Sequence, residues 1–260
     1  MKIGIFGAGH MGGAMIEGWL HSGKLQPQDI LVKGGRSATA KNLQKKLQFQ
    51  LVDSLSQFAD CDLFFIAVGT SAVLPILNSL KKEAFQKQQP IISVAAGVSL
   101  SEMQAVMGEG YPLAHAIPNT PVQIGKGLTA VTYADTLLTT QKDTIKEALH
   151  YLGDTIETVE ERLDIISSVA GCGPAFVDIF MEALSDGAVL HGMPRDLSYE
   201  VIAKMLIGSA SLALESGKHP GALKDGVTSP GGTTIRGVAA LEKNGFRHAV
   251  ISGIDAIVRD

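Results

Sequence analysis

The sequence of 260 residues is poor in cysteine, in aromatic side chains and in excess charge of either sign. Its two cysteines, Cys61 and Cys172, are too few for a disulfide framework, and we expect both to stay reduced. A net charge of −4 without a basic cluster gives no reason to expect nucleic acid as a partner. No apolar run approaches a membrane span, and no signal sequence precedes the first strand pattern. We therefore expect a cytoplasmic protein without a membrane partner.

Metal ligands and a catalytic thiol are also missing from the pattern. The seven histidines show no metal-ligand spacing with each other or with the cysteines, so no metal site is predicted. Cys172 stands at a predicted helix start and is interpreted as a small buried thiol rather than a nucleophile. The charged run Glu160-Glu161-Arg162 is interpreted as a solvated domain edge.

What the chain has in quantity is aliphatic residues and glycine. Hydrophobic residues make up 45% while aromatics make up only 5%, and 29 residues are glycine. This composition is typical of an α/β protein packed with Ala, Leu, Ile and Val. The length exceeds one typical domain and allows a substantial core.

Strand and helix patterns alternate over residues 1–159, which predicts a mostly parallel, doubly wound Rossmann-type sheet. After a first strand over residues 2–6, strands are predicted at 30–33, 49–52, 63–68, 91–94, 113–116, 128–132 and 155–159. Strand signals end near Glu160, and helical periodicity fills residues 160–260. Its predicted helices are 163–169, 174–190, 197–214, 234–243 and 246–258. Because these helices are apolar over much of their circumference, we expect this all-α domain to pack against a second copy of the chain in a homodimer.

A glycine motif follows the first predicted strand at once and leads into an amphipathic run at residues 14–20. Its residues are Gly7, Ala8, Gly9, His10, Met11 and Gly12. Strand, Gly-x-Gly-x-x-Gly and helix in this order are the fingerprint of dinucleotide binding. Gly7 allows the turn, Gly9 lets the pyrophosphate reach the helix N-terminus, and Gly12 allows close packing. All six residues are predicted to contact a cofactor.

The end of the second strand indicates which dinucleotide is bound. A site that prefers NAD has Asp or Glu there for the ribose 2′-hydroxyl, whereas this chain has Lys33, Arg36 and Ser37 and no carboxylate. A guanidinium and a hydroxyl suit a 2′-phosphate, so we predict NADPH, with NADH as the alternative and Arg36 and Ser37 as contacts. The other interpretation is that Lys33 and Arg36 are solvated loop charges.

A second motif lies near the other end of the chain, just before an amphipathic helical run. It is Ser229-Pro230-Gly231-Gly232-Thr233-Thr234. A tight turn followed by a helix start presents unpaired N–H groups and a positive dipole to a small anion such as a carboxylate, with hydroxyl groups beside it. The alternative is an ordinary helix N-cap after a surface turn.

These motifs, with three further segments, resemble the pyrroline-5-carboxylate reductase family over nearly the full length. The further segments are Ala95-Ala96-Gly97-Val98, Pro118-Asn119-Thr120-Pro121 and Gly171-x-Gly173-Pro174-Ala175. The resemblance implies a Rossmann domain, a helical dimerisation domain that interlocks with its partner, and NAD(P)H-dependent reduction of a cyclic imine to proline. Ring assemblies of dimers are a further alternative.

The resemblance also implies residue roles. Ser229, Gly231, Gly232, Thr233 and Thr234 would hold the substrate carboxylate, with Thr234 as the catalytic residue that positions the ring nitrogen. The nicotinamide side of the cofactor would be lined by Ala67, Val68, Gly69, Thr70, Ala95, Ala96 and Gly97. Ser54 would lie near the adenosine ribose, and Asn119 would be a further cofactor contact.

The chain departs from the family pattern at three places. Val68-Gly69-Thr70 replaces the usual Val-Lys-Pro, His115-Ala116-Ile117 replaces Arg-x-Met, and Ala170-Gly171-Cys172-Gly173 replaces Ser-Gly-Ser-Gly. These departures leave two alternatives open: a paralogue that reduces a related cyclic imine, and an inactive regulatory protein that binds NADPH. A β-hydroxyacid dehydrogenase is disfavoured, because its helix lysine would fall at Val177.

Overall fold

The computed structural model describes residues 1–35, 37–83 and 88–258. It divides into two compact units, Met1–Gly171 and Cys172–Asp260. The predicted boundary between residues 159 and 160 thus falls within the first unit, near its end, and as a functional boundary it stays a prediction.

The first unit is built on one eight-stranded sheet. Its strands are β1 (Ile3–Phe6), β2 (Ile30–Lys33), β3 (Gln50–Leu51), β4 (Leu63–Ile66), β5 (Ile91–Ser93), β6 (Leu113–Pro118), β7 (Gly127–Tyr133) and β8 (Gly153–Glu157). Its α-helices are α1 (His10–His21), α2 (Thr39–Leu47), α3 (Thr70–Glu83), α4 (Leu100–Met107), α5 (Thr139–His150) and α6 (Leu163–Ile166). Short 3-10 turns lie at Pro27–Asp29, Leu55–Phe58, Thr120–Ile124 and Glu160–Arg162, and a π-helical turn follows α6 at Ser167–Gly171.

The strand order is β3-β2-β1-β4-β5-β6-β7-β8, and all neighbours are parallel except β6 and β7. The chain from β1 moves first toward β3 and then returns to place β4 on the other side of β1, which is the switch of a doubly wound sheet. The antiparallel pair has a physical cause: the link from Asn119 to Lys126 is shorter than the roughly dozen residues that a parallel crossover needs. The predicted Rossmann architecture is confirmed.

The core of this unit lies on both faces of the sheet. Every residue of β1 and β4 is buried, which explains their continuous apolar sequences. On one face Trp19 of α1 packs against Phe65, with ring centroids 5.0 Å apart, and its indole N–H donates to the carbonyl of Ala148 in α5 at 2.8 Å. Helices α1 and α5 are therefore joined by packing and by a buried hydrogen bond.

All the regular secondary structure described in the second unit is helical. It contains α7 (Gly173–Leu190), α8 (Arg195–Ser216), α9 (Pro220–Gly226), α10 (Thr233–Lys243) and α11 (Phe246–Val258). The four helices predicted here from periodicity correspond to α7, α8, α10 and α11, whereas α9 was not predicted. Many large apolar side chains of this unit are exposed, among them Ile179, Leu190, Ile207 and Leu214.

Two stretches, Glu160–Leu190 and Arg195–Ser216, are long and apolar enough to cross a membrane by length and composition alone. The expectation that no apolar run approaches a membrane span is therefore wrong on this point. Isolated charges interrupt both stretches, but their average apolarity is high. Only 11% of each most apolar window is buried within the chain, so these helices need a covering partner of some kind.

Candidate active site

The cofactor residues predicted from sequence converge on one edge of the sheet. Because β1 to β6 run parallel, the segments that follow them share the carboxyl edge. The predicted residues follow the strands in this way: Gly7–Gly12 after β1, Ser54 after β3, Ala67–Thr70 after β4, Ala95–Gly97 after β5 and Asn119 after β6. The switch between β1 and β4 lies at the centre of this edge, where doubly wound sheets bind ligands.

The three glycines of the fingerprint, Gly7, Gly9 and Gly12, differ in the space that a side chain would find around them. Gly7 has φ +98°, and a Cβ there would lie 2.3 Å from the carbonyl oxygen of Ala67. A Cβ on Gly12 would lie 2.3 Å from the carbonyl oxygen of Gly7, so α1 packs tightly onto the β1 turn. By contrast, a Cβ on Gly9 would meet no atom of the described residues within 4 Å. Gly9 leaves open space before the start of α1, as an approaching pyrophosphate requires.

The start of α1 is free to bind an anion. Gly9 is its N-cap residue, no side chain within the part of the chain that the structure describes caps it, and no acidic residue occupies its first turn. Of the neighbouring fingerprint residues, Ala8 is buried, Met11 is half-buried and His10 is exposed. The N–H groups of this first turn therefore keep their capacity for phosphate oxygens.

The segments after β4 and β5 are tied to each other. The Thr70 hydroxyl donates to the carbonyl oxygen of Ala96 at 2.8 Å, and a Cβ on Gly97, where φ is +78°, would touch the Thr70 methyl group at 3.4 Å. The side of Gly69 is open, because a Cβ there would meet no atom of the described ranges within 4 Å.

The residues predicted near the ribose lie at the β2 and β3 end of the same edge. The Lys33 ammonium donates to the carbonyl oxygen of Asp53 at 2.6 Å, which ties β2 to the segment that carries Ser54. The Ser37 hydroxyl donates to Thr39 at 3.1 Å. Arg36 lies outside the described residues. Lys33 thus has an exposed hydrogen-bond partner in the next segment, and a contact with the cofactor phosphate stays a prediction.

Asn119 uses its side chain within the first unit. Its amide nitrogen donates to the carbonyl oxygen of Ala170 at 3.0 Å, and its amide oxygen accepts from the N–H of Leu128 at 2.8 Å. Both polar ends are therefore engaged with backbone, which fixes the chain that leads into Gly171. A direct cofactor contact by Asn119 stays a prediction.

In the second unit, residues 229–234 form a turn that leads directly into a helix. Gly231 has φ +69°, the N–H of Gly232 donates to the carbonyl oxygen of Ser229 at 3.0 Å, and α10 starts at Thr233. No side chain of the described residues caps α10, and both threonines are exposed. Gly232 is the N-cap residue of α10, as in the alternative of an ordinary helix N-cap after a surface turn, so a ligand at these N–H groups stays a prediction.

Sequence reasoning missed one feature of this edge, the pair His115 and Glu160. His115 is buried on β6, with Nε2 3.1 Å from the carbonyl oxygen of Ala95 and Nδ1 3.2 Å from the Glu160 carboxylate. The same carboxylate oxygen accepts from the N–H of Leu100 at 2.6 Å. Interpreting Glu160 as a solvated edge residue was therefore wrong, because a local charge run does not reveal a partner 45 residues away.

Cys172 also differs from its prediction. It is exposed and is the N-cap residue of α7, because it stands at the outer end of a helix rather than inside a core.

Burial raises the pKa of the other thiol, Cys61, to about 12, with a smaller contribution from the neighbouring Asp62. Within the described ranges, no group of three or more His, Cys, Asp or Glu side chains could hold a metal ion.

A groove of about 640 Å³ borders the outer face of the fingerprint. It is lined by Gly9 and His10, by Thr39 and Lys46 of α2, and by Thr120 among others. It does not include the segments after β4 and β5. We therefore locate the reacting end of a cofactor by the sheet edge rather than by this groove.

The sheet, its switch point and the uncapped helix start define the class of the protein, a dinucleotide-binding oxidoreductase. Residues 2–97 match the family model described as NADP oxidoreductase coenzyme F420-dependent, and residues 160–260 match the one described as Pyrroline-5-carboxylate reductase dimerisation. The chain is 36% identical to the pyrroline-5-carboxylate reductase of Escherichia coli over 97% of its own length and 94% of that protein. The chain belongs to the pyrroline-5-carboxylate reductase family.

Solved structures agree with this assignment. The crystal structure of Plasmodium falciparum pyrroline carboxylate reductase with NADP bound superposes with a TM-score of 0.85 at 28% identity, covering 99% of this chain and 95% of that one. The 1-pyrroline-5-carboxylate reductase of Streptococcus pyogenes gives 0.84 at 31% identity, covering 100% and 97%. The match to a dimerisation model identifies residues 160–260 as a self-association region.

Proposed function

We propose that the protein reduces 1-pyrroline-5-carboxylate to L-proline with NADPH. The observation that carries the proposal is the similarity to reductases of this substrate over 97% of the chain, with both glycine motifs present. The open Gly9 position and the uncapped starts of α1 and α10 support it, because they offer backbone N–H groups to two anionic ligands.

Residues at the carboxyl edge would hold the cofactor. The N-terminus of α1 would bind the pyrophosphate, Arg36 and Ser37 the 2′-phosphate, and the segments after β4 and β5 would line the nicotinamide. When bound, NADPH supplies the hydride for the C=N carbon. The chain's own contribution is orientation and exclusion of water.

The turn from Ser229 to Thr234 would hold the substrate. Its backbone N–H groups and the N-terminus of α10 suit the carboxylate, and the Thr234 hydroxyl would hydrogen-bond the ring nitrogen. A threonine hydroxyl is a poor proton source at neutral pH, so Thr234 positions the imine while the proton comes from solvent or from the iminium form of the substrate.

The test of function is a spectrophotometric assay. Protein, NADPH and racemic 1-pyrroline-5-carboxylate are mixed, and the absorbance of the reduced nicotinamide is followed, with NADH in a parallel reaction. Rapid oxidation of NADPH with formation of proline is the expected result. Tight NADPH binding without turnover would identify the regulatory alternative, and turnover confined to a different cyclic imine would identify the paralogue.

Thr234 gives a test at the level of one group. Thr234→Val should lower kcat/KM about 10- to 150-fold, the range expected for losing one hydrogen bond to a charged group. Thr234→Ser keeps the hydroxyl and should retain most of the activity. Full kcat/KM in Thr234→Val would contradict the assigned role.

The assembly we propose is a homodimer through residues 160–260, with a ring of dimers as a further possibility. The exposed apolar helices support it, because a second copy would cover the two membrane-length stretches in place of lipid. Cytoplasmic location, without nucleic-acid or membrane partners, completes the proposal. It is supported by the net charge of −4 and by the biosynthetic role of the relatives.

A further inference from the structure

The loop between β5 and α4 is held at both ends by one pair of side chains, His115 and Glu160. At the start of the loop, Nε2 of His115 contacts the carbonyl oxygen of Ala95 at 3.1 Å. At its end, Oε1 of Glu160 accepts from the N–H of Leu100 at 2.6 Å. The two side chains contact each other at 3.2 Å, which closes a ring of hydrogen bonds around the loop. This set of contacts is called the His–Glu clamp below.

The hydrogen-bonding groups and the burial of His115 and Glu160 suit the contacts that they make in the clamp. Both neighbours of the imidazole, a carbonyl oxygen and a carboxylate oxygen, are hydrogen-bond acceptors, which match the N–H donors of a histidine ring. The His115 side chain is 6% exposed and that of Glu160 30%, so water competes little at the first and moderately at the second. Buried networks of this kind fix geometry when every member is satisfied.

The clamped loop carries the residues that the proposed function places beside the nicotinamide. Ala96 and Gly97 are exposed at the carboxyl edge, while Ala95 is buried beneath them. The Thr70 hydroxyl holds the next carbonyl, that of Ala96, at 2.8 Å. Two successive carbonyl groups are therefore fixed by side chains from different elements, and the remaining freedom of the loop is small.

We infer that His115 is a positioning residue, which acts with Glu160 to fix the Ala95–Gly97 segment against which the nicotinamide ring lies. It does not touch the reacting atoms. Its effect is on the alignment of the hydride donor with the imine, whereas cofactor affinity is governed by the phosphate contacts elsewhere on the edge. This inference rests on the proposed function for its catalytic readout, but not for its structural one.

The structural readout is hydrogen exchange of the cofactor-free protein, measured by mass spectrometry on peptides that cover residues 94–100. His115→Phe fills the space of the ring without a donor, and Glu160→Gln removes the carboxylate. His115→Phe should accelerate exchange in this loop by about tenfold or more, because local opening is no longer opposed by the clamp. Glu160→Gln should accelerate it by a smaller factor, because its amide oxygen still accepts from the N–H of Leu100. The control is Thr132→Val, which changes the buried cross-strand neighbour of His115 and should leave the loop unchanged.

The catalytic readout separates positioning from binding. His115→Phe should lower kcat about 10- to 100-fold, as expected for misalignment of reacting groups, while the NADPH dissociation constant stays within about threefold. His115→Gln has one donor nitrogen and should fall between wild type and His115→Phe. In the double variant with Glu160→Gln the losses should not add, because either change opens the same clamp.

The outcomes are distinguishable. If wild type reduces the imine but His115→Phe and Glu160→Gln both keep wild-type kcat and loop exchange, the inference is wrong and the proposed function stands. It is also wrong if Thr132→Val causes the same losses, or if the two clamp variants add fully. If wild type does not reduce the imine, the proposed function fails and the exchange experiment alone decides whether the clamp exists. Should His115→Phe not fold, His115→Gln and Glu160→Gln carry the same test.

Discussion

At the residue scale, Gly9 and Gly12 belong to one motif but are required for different reasons. Gly12 is demanded by the protein itself, since any side chain there would collide with the carbonyl oxygen of Gly7. A Cβ on Gly9 would meet no described residue within 4 Å, so this position suits the approach of a ligand. Substitutions at Gly12 and Gly9 should therefore affect different properties, the stability of the fold and the binding of the cofactor respectively.

Gly9→Ala should leave the free energy of unfolding within about 0.5 kcal/mol of wild type. The same change should raise the NADPH dissociation constant at least about tenfold, a loss of about 1.4 kcal/mol. Gly12→Ala should instead destabilise the fold by about 1–3 kcal/mol through overpacking. Urea denaturation and fluorescence titration with NADPH measure the two quantities. Unchanged NADPH affinity in Gly9→Ala would contradict the proposed cofactor site.

Cys61 provides a residue-scale prediction on pH. Its thiol has a pKa of about 12 in the folded protein against a reference value of 9.0, mainly because burial disfavours the thiolate. Since the folded pKa is the higher one, the stabilisation is complete below pH 9.0 and is lost as the pH rises toward 12. Burial raises the pKa of Tyr111 and Tyr133 to about 12 and acts in the same direction.

The measurement compares unfolding of wild type and Cys61→Ala at about pH 8 and about pH 11. The stability advantage of wild type over Cys61→Ala should shrink at the higher pH. Cys172→Ala, at an exposed thiol, serves as control and should show a difference that does not depend on pH. If the stability advantage of wild type over Cys61→Ala stays constant with pH, the pKa of the Cys61 thiol is the same in the folded and unfolded states, and the prediction is wrong.

At the element scale, all eight strands were predicted from the sequence, whereas helices α4 and α9 were not. Continuous apolar runs located β1, β4 and β5, because burial on both faces of a parallel sheet demands them. Helix α4 was not predicted, although Ser99 and Glu102 form a capping box at its start, with Ser99 Oγ accepting from the Glu102 N–H at 3.2 Å. Those hydrogen bonds lower the pKa of Glu102. The Ser-x-x-Glu spacing was the available signal.

The junction of α1 with α5 gives the prediction for this scale. Trp19→Phe keeps an aromatic ring beside Phe65 but leaves the buried carbonyl of Ala148 without its donor. The free energy of unfolding should fall by about 1–3 kcal/mol, the cost of an unsatisfied buried polar group. Circular dichroism in urea measures it, since the only tryptophan is removed. Tyr151→Phe, which breaks only an exposed bond to Glu147, is the control and should change stability much less.

At the scale of the whole molecule, the helical unit does not bury its own apolar surface. A groove of about 450 Å³ between α7, α10 and α11 is lined almost wholly by apolar side chains, including Phe176, Phe180 and Phe246. Surface of this extent is unusual for a protein that stays monomeric. Together with the dimerisation family model, it indicates that the folded unit in solution contains more than one chain.

Ile179 tests this assembly. Its exposed fraction is 66%, and Leu138 of the first unit has a matching fraction of 65%. Ile179→Asp should raise the dimer dissociation constant at least about 100-fold, because an unpaired charge would be buried in the interface. Leu138→Asp should leave it unchanged. Sedimentation velocity measures both, and equal sizes for wild type and Ile179→Asp would contradict the proposed interface.

The sequence by itself determined the positions of the eight strands and of most helices, the fingerprint turn, and the turn that precedes α10. Each depends on residues close together in the chain, where glycine spacing and apolar periodicity constrain the backbone directly. Only the tertiary structure decided that Lys33 is tied to Asp53, that Asn119 is engaged by backbone, and that Glu160 meets His115. Those contacts join residues 20 to 51 positions apart. They exist because the sheet order brings distant segments together, which no local pattern encodes.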